Sequence, residues 1–443
     1  MLDRRDFLRL TSAAVVTGVF PDIAQQLLFA DNTGPENPEP PLHKSRVFVS
    51  HHNDVARNTH QLLDMLGGIE HLVGPEDIVV LKVNSQWWLQ GMTNTDFLWH
   101  FIQAILDRPG GFQGEIILAD NHQAQTPNSR GWTTQKRNGR WNYNELVADF
   151  QSRGYANVTK YHWHPAGPNP TPLQFGGSGN AVVTHPEEGD GYVWPSTLYY
   201  QSPSGNRTLL SYPIFTSAYS GITIDLKHGV YEKGRYTQRP LKFFNISAIN
   251  HHSSYAGVTA SVKNLMGVVD MSCGYPAPLP ENTYNTHHIG ATPLFKWMAR
   301  YKKELEHIPG FYRVYLHPEV FRFRYTGGVL GTWIREIRRP DLNIITAIRV
   351  GWGSRTDPQK AGHPNVLTAS TDPVALDYWT AKHVLLPVTQ HANAPEKYLR
   401  LNNPDIIDGP FYRFLRETQR QLGGALSDQF IELEGQLYES VLR

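Results

Sequence analysis

Ile78-Val79-Val80-Leu81-Lys82-Val83-Asn84 is an apolar run that ends in a cation and an amide, preceded by the turn-forming Gly74-Pro75-Glu76-Asp77. A short, near-continuous apolar run is what a strand buried on both faces requires, as in a parallel sheet covered by helices. Upstream, Val47-Phe48-Val49 is a first short strand. Val55, Leu62, Leu63 and Leu66 then share one helical face, with Asn53 or Asp54 as N-cap and Gly67 as the stop. Downstream, Phe97, Leu98, Phe101, Ile102 and Ile105 repeat at helical spacing, and residues 115–119 supply the next strand. The alternation of strand, helix, strand, helix, strand predicts an α/β fold with a mostly parallel sheet and crossover helices.

Further along, residues 121–142 are a long polar loop, a length that in compact domains usually carries function. A helix is expected near 145–153, closed by Gly154. Over residues 161–240 the composition shifts to Gly, Pro, Tyr and Trp, which reads as an irregular aromatic-rich insertion or lid. It holds a hairpin across 198–212 turned at Ser204-Gly205-Asn206. A strand at 243–249, a helix near 258–266, a helical stretch around 293–305 and a strand at 342–348 resume the alternation. A helix over 374–385 follows, where Asp372 is a good N-cap and Pro373 suits the first helical position. The α/β domain is therefore expected over 46–390, with a helical extension over 391–443.

The first residues carry an address rather than a fold. Asp3-Arg4-Arg5-Asp6-Phe7-Leu8-Arg9 resembles the twin-arginine export motif, and the apolar run 10–20 that follows is well short of the roughly 20 residues a membrane-spanning helix needs. Residues 1–30 are thus expected to be a signal peptide and 31–45 a Pro-rich linker. The partner in export would be the twin-arginine translocase, the destination the periplasm or another extracytoplasmic space, and no stable membrane span is expected. The 443 residues are 40% hydrophobic, enough for a large core. Lys and Arg number 41 against 40 Asp and Glu, a balance that offers no field to recruit nucleic acid and favours a small-molecule or anionic ligand. The single cysteine, Cys273, excludes an internal disulfide and an iron-sulfur cluster held by this chain alone.

Four segments together resemble the bacterial and archaeal family called domain of unknown function 362. They are Val80-Leu81-Lys82-Val83-Asn84, Ile116-Ile117-Leu118-Ala119-Asp120, the region from Phe244 through His252 and Gly257-Val258-Thr259 to Lys263-Asn264-Leu265-Met266-Gly267, and Thr371-Asp372-Pro373-Val374-Ala375-Leu376-Asp377. They span about residues 46–386 in the order the family shows. The chain departs from the family at Asn250, where Lys is usual before the His, and at Thr346, where an Asp is expected. It also lacks the cysteine clusters of many relatives. The resemblance implies an α/β fold and nominates residues, but the family brings no agreed activity.

Ligands of open α/β sheets bind beyond the carboxyl ends of the strands, so Lys82, Asn84 and Asp120 should converge there if their strands are parallel. The expected catalytic set is Lys82, Asp120, His252 and Lys263, with Asn84, Asn264 and Asp377 holding a ligand or cofactor and His52 near the same crevice. His162 and His164 share a face if extended and could hold a divalent metal together with Asp120. Other readings stand beside these. Lys82 and Asp120 can form a structural ion pair with Asn84 capping the loop, Lys263 and Asn264 cannot both aim squarely at one pocket, Asp372 is explained by capping, and the histidines can be ordinary core or surface residues. Three functions remain open: an exported enzyme or cofactor-dependent protein, a non-catalytic ligand-binding protein using the aromatic segment 161–219, and a maturation or scaffold protein for another exported enzyme.

Overall fold

The computed structural model describes residues 44–121, 130–163, 181–203, 205–270, 282–283, 286–315, 317 and 320–435. The expected signal, nearly all of the expected linker, Cys273 and His164 lie outside them. The strands of the principal sheet are β1 (Ser45–His51), β2 (Ile78–Lys82), β3 (Glu115–Asn121), β4 (Val158–Trp163), β5 (Leu241–Ser247), β6 (Leu342–Ala347), β7 (Val366–Ser370) and β8 (Ile431–Gly435). Their order is β8-β1-β7-β6-β5-β2-β3-β4. From β4 to β6 every pairing is parallel. β7 is antiparallel to both β6 and β1, and β8 runs parallel to β1 at the edge.

Every residue of β2 and of β3 is buried, because both faces of the sheet are covered. Val79, Leu81, Ile116 and Leu118 belong to a core built with α1 (Val55–Met65), α2 (Thr95–Leu106) and α3 (Tyr143–Ser152). Ile78, Val80, Ile117 and Ala119 alternate with them onto the opposite face. That face packs the aromatic insertion and α4 (Ser261–Asn264), α5 (Arg324–Glu336), α6 (Pro373–Thr380) and α7 (Pro410–Leu422). The helices begin where polar caps allow. Asp54 accepts from Arg57 N, Asn94 from Phe97 N, and Asn142 forms a reciprocal box with Glu145.

The insertion folds its own six-stranded sheet, including Tyr212–Thr216, Thr223–Asp225 and Gly229–Glu232. Its expected hairpin pairs Tyr199–Gln201 with Arg207–Leu209. Most of its described aromatics face the core: Tyr161, Trp163, Tyr192, Tyr200, Tyr212 and Phe215 are all buried.

Three departures from the sequence reading bear on the site. The helix expected near 258–266 is shorter. Gly257–Thr259 is a strand paired antiparallel with Asn250–Ser253, and α4 begins only at Ser261. The sequence reading gave no strand order and no element at β7 or α5, and in the sheet β7, β6 and β5 stand between β1 and β2. Segment 391–443, expected to be helical, contributes α7 but also β8. α7 packs tightly on α5 because the latter's glycines leave room: a Cβ at Gly327 would lie 2.1 Å from Phe414 O, and one at Gly331 2.9 Å from Thr418 O. Among the described residues no helix is long and apolar enough to cross a membrane.

Candidate functional site

The parallel strands β2, β3 and β5 end together, and their continuations form a cleft. Its lining includes Asn84, Trp87, Asp120, His252, Lys263 and Arg355. The space between these residues is narrow and opens to solvent.

Beneath the cleft lies a buried ion pair. Lys82 Nζ is 2.9 Å from Asp120 Oδ1, donates to Asn264 Oδ1 at 2.8 Å and donates to Val83 O at 2.6 Å. An ammonium has three protons, so these contacts use all of them. Asp120 Oδ1 also accepts from Asn121 N at 2.9 Å. Its Oδ2 accepts from Ser85 N at 2.6 Å and Ser85 Oγ at 2.7 Å. Burial pushes Lys82 down and Asp120 up, and their mutual attraction opposes both shifts. Gly267 makes this geometry possible, because a Cβ there would sit 2.0 Å from Asp120 Oδ1 and 2.5 Å from Lys82 Nζ. Asn264 passes the network on, donating to Asn245 Oδ1 at 2.8 Å, while Asn245 donates to Asn343 Oδ1 at 2.8 Å.

Asp377 stands away from the cleft lining. From α6 its carboxylate accepts from Ser261 N at 2.7 Å and Val262 N at 3.0 Å, and so holds the start of α4 in place. Burial pushes its carboxyl up to about 7 despite those bonds. Asp377 is thus a positioning residue for Lys263 and Asn264. Asn84 lines the cleft while its Oδ1 accepts from Ala248 N at 2.8 Å, tying the end of β2 to the end of β5.

Above the pair the charges are arranged differently. Lys263 is only 7% exposed, and its ammonium lies 3.2 Å from Met266 Sδ and 5.5 Å from the centre of the Phe323 ring. Arg355 lies on the loop after β6, its guanidinium 4.4 Å from the centre of the Trp87 ring. Among the described residues no carboxylate pairs with either cation. Gln90 fastens that loop by donating from Nε2 to Ser354 O at 3.0 Å and to Asp357 O at 2.7 Å. Burial and then the neighbouring Arg355 hold the Lys263 amine down at about 7. His252 lies well below the ordinary histidine range, through burial first and Lys263 second, and its buried Nδ1 has no hydrogen-bond partner among the described residues. The Thr259 hydroxyl and Asn250 Oδ1 are likewise buried and unbonded.

Asn84, Asp120, His252, Lys263 and Asn264 are therefore brought to one concavity. Lys82 lies just below it, and Asp377 supports it from behind. The expected metal group falls partly outside the described residues, and among those described no set of three or more His, Cys, Asp or Glu side chains is placed to hold an ion. His162 is buried with its ring 4.0 Å from that of Trp132, Asp120 is saturated by Lys82, Ser85 and Asn121, and His164 lies outside the described residues. Sequence reasoning missed Arg355 and Trp87. Both follow the carboxyl end of a parallel strand, Trp87 in the Trp87-Trp88 pair and Arg355 behind the glycine-rich Gly351-Trp352-Gly353, and that position was the available signal.

Residues 242–382 match the family model described as Domain of unknown function (DUF362). The match contains β5, α4, β6, β7 and α6, and with them His252, Lys263, Asn264, Arg355 and Asp377, while Lys82, Asn84 and Asp120 lie outside it. Neither the curated proteins nor the solved structures contain a significant match to the chain.

Proposed function

We propose that this is an exported protein whose strand-end cleft binds a small anionic ligand, with Lys263 and Arg355 as the cationic anchors and Asn84, Thr259 and Asn250 as polar contacts. One observation carries the reading: two cations line a cleft with no carboxylate partner among the described residues, beside buried polar atoms that make no hydrogen bond. Burying a charge without a partner is unfavourable by several kcal/mol, so a fold that keeps Lys263 buried, with the half-buried Arg355 beside it, is organised for an anion supplied from outside. The guanidinium of Arg355, over the Trp87 ring and lining the cleft, is a group that pairs well with a carboxylate or phosphate. Lys82 and Asp120 act as the floor of the site, and His252 is the proton acceptor next to Lys263.

Titration calorimetry with orthophosphate and with small mono- and dicarboxylates tests this. Binding by at least one series, weakened by Arg355→Met, is the expected result, and no binding by any of them at millimolar concentration sinks the reading. Export rests on Arg4-Arg5. Replacing both with Lys should leave the precursor in the cytoplasm, and undiminished export of that variant removes the basis for the proposed location. A ligand site made from the insertion's aromatics has less support, since most of those described are used in the core.

A further inference from the structure

We propose that Lys263 is a covalent anchor: its amine forms an imine with the carbonyl of a small 2-oxo acid whose carboxylate is held by Arg355. This rests on the anion-binding reading of the same cleft and goes beyond it, because it names the ligand class and a bond.

The geometry around Lys263 differs from that of a lysine meant only to hold charge. A lysine that serves as a salt-bridge partner sits among carboxylates and hydrogen-bond acceptors. Lys263 instead has a thioether sulfur and the face of Phe323 beside it, its neighbouring charge is the cationic Arg355, and the imidazole of His252 lies close by. Apolar burial next to a second cation is the arrangement that leaves an amine neutral and nucleophilic. The amine's position near 7 agrees with that environment.

His252 stands against the same ring. Its imidazole is stacked on Phe323 at 6.4 Å, so amine and imidazole share one wall of the cleft. Arg355 projects from a loop on another element and supplies the complementary charge for the acid group. A 2-oxo acid has its carbonyl carbon bonded directly to its carboxylate, and the cleft offers an amine and a guanidinium to match.

The step balances without an oxidant or reductant. The Nζ lone pair attacks the carbonyl carbon, forming a C–N bond while the C=O π pair moves to oxygen. His252 Nδ1, unpartnered among the described residues, takes one proton from the attacking nitrogen and passes it to that oxygen, giving the neutral carbinolamine. The second nitrogen proton then moves to the hydroxyl by the same route, the C–O bond breaks, water leaves and the nitrogen lone pair forms C=N. Amine plus ketone gives imine plus one water, and nothing is oxidised.

Pyruvate in the presence of borohydride tests the proposal on the full chain as it exists after export, with lactate as the comparison ligand of similar size that bears a carboxylate but no carbonyl. The expected result is one reduced pyruvyl group per chain, mapped by peptide mass spectrometry to Lys263, absent without borohydride and competed by lactate. In Lys263→Met, labelling should fall at least about tenfold. Mapping in the unaltered protein keeps the test decisive even if that variant folds poorly. Calorimetric binding of both pyruvate and lactate with no adduct on Lys263 overturns the covalent anchor and leaves the anion site standing. Label spread over exposed lysines at equal yield also overturns it. Binding of neither acid, with orthophosphate still bound, overturns the proposal alone, and binding of none of the three overturns it together with the reading beneath it.

Discussion

Lys82 and Lys263 are both buried lysines, bridged by a single residue, since Lys82 donates to Asn264, the neighbour of Lys263. Lys82 has an aspartate, an amide and a carbonyl around its ammonium. Lys263 has a sulfur, a phenyl ring and another cation. The first arrangement satisfies every proton internally and locks strand ends together. The second leaves charge and hydrogen-bonding capacity facing a cleft. Burial alone therefore does not separate a structural cation from a functional one, and the identity of the groups around it does.

The largest expected effect breaks the closed pair. Asp120→Asn leaves Lys82 buried without its counter-charge and should destabilise the fold by about 3–5 kcal/mol in urea denaturation, whereas Arg355→Met should change stability by less than about 1 kcal/mol. Equal losses in the two variants would erase the distinction between the two regions.

Next in size is Gly267→Ala. Its new methyl would have to push apart two charges that are pinned from the other side by Asn264 and Ser85, so a loss of about 1–3 kcal/mol is expected by thermal or chemical denaturation. A fully stable variant would show that the pair can shift and is not the rigid floor described above.

On the open side, Arg355→Met should weaken binding of a carboxylate or phosphate ligand by about 10–100-fold, the worth of a charge-assisted contact of roughly 1.5–3 kcal/mol, measured by calorimetry. Unchanged affinity would move the anion away from Arg355.

The smallest effect is a pH dependence. Lys263 is charged below about 7 and neutral above it, against an ordinary lysine value of 10.5. Anion affinity should therefore fall roughly tenfold from about pH 6 to about pH 8, with Arg355 charged throughout and the depressed His252 uncharged throughout. Fold stability should move the other way. Between about 7 and 10.5 the unfolded chain holds a proton that the folded one lacks, so the Lys263 contribution to stability rises with pH across that window. Asp377, raised to about 7, contributes the opposite slope below its own value, because there the folded state holds the extra proton. Comparing the unaltered protein with Lys263→Met by calorimetry and denaturation at each pH isolates the lysine. Identical pH profiles in the two would refute the assignment.

The alternation of apolar runs with helical periodicity was enough for the α/β class, because a strand covered on both faces and a helix covered on one leave different spacings in the chain. Asp372 and Asp54 were legible or nearly so as caps, since capping depends on residues two or three apart, whereas the Asn142 cap was not read. The same locality made Lys82, Asn84, Asp120, Lys263 and Asn264 visible as polar groups at the ends of apolar elements. It could not decide what each one touches. Whether Lys82 faces Asp120, whether Asp377 lies in the cleft or behind α4, and that Arg355 joins Lys263 all depend on contacts between elements scores to hundreds of residues apart. The strand order is equally non-local: β7 and β6 separate β1 from β5, an arrangement set by which faces can be buried together and not by chain order. The sequence by itself determined the elements and the polar groups at their ends, and only the tertiary structure decided which charges neutralise one another and which are left for a ligand.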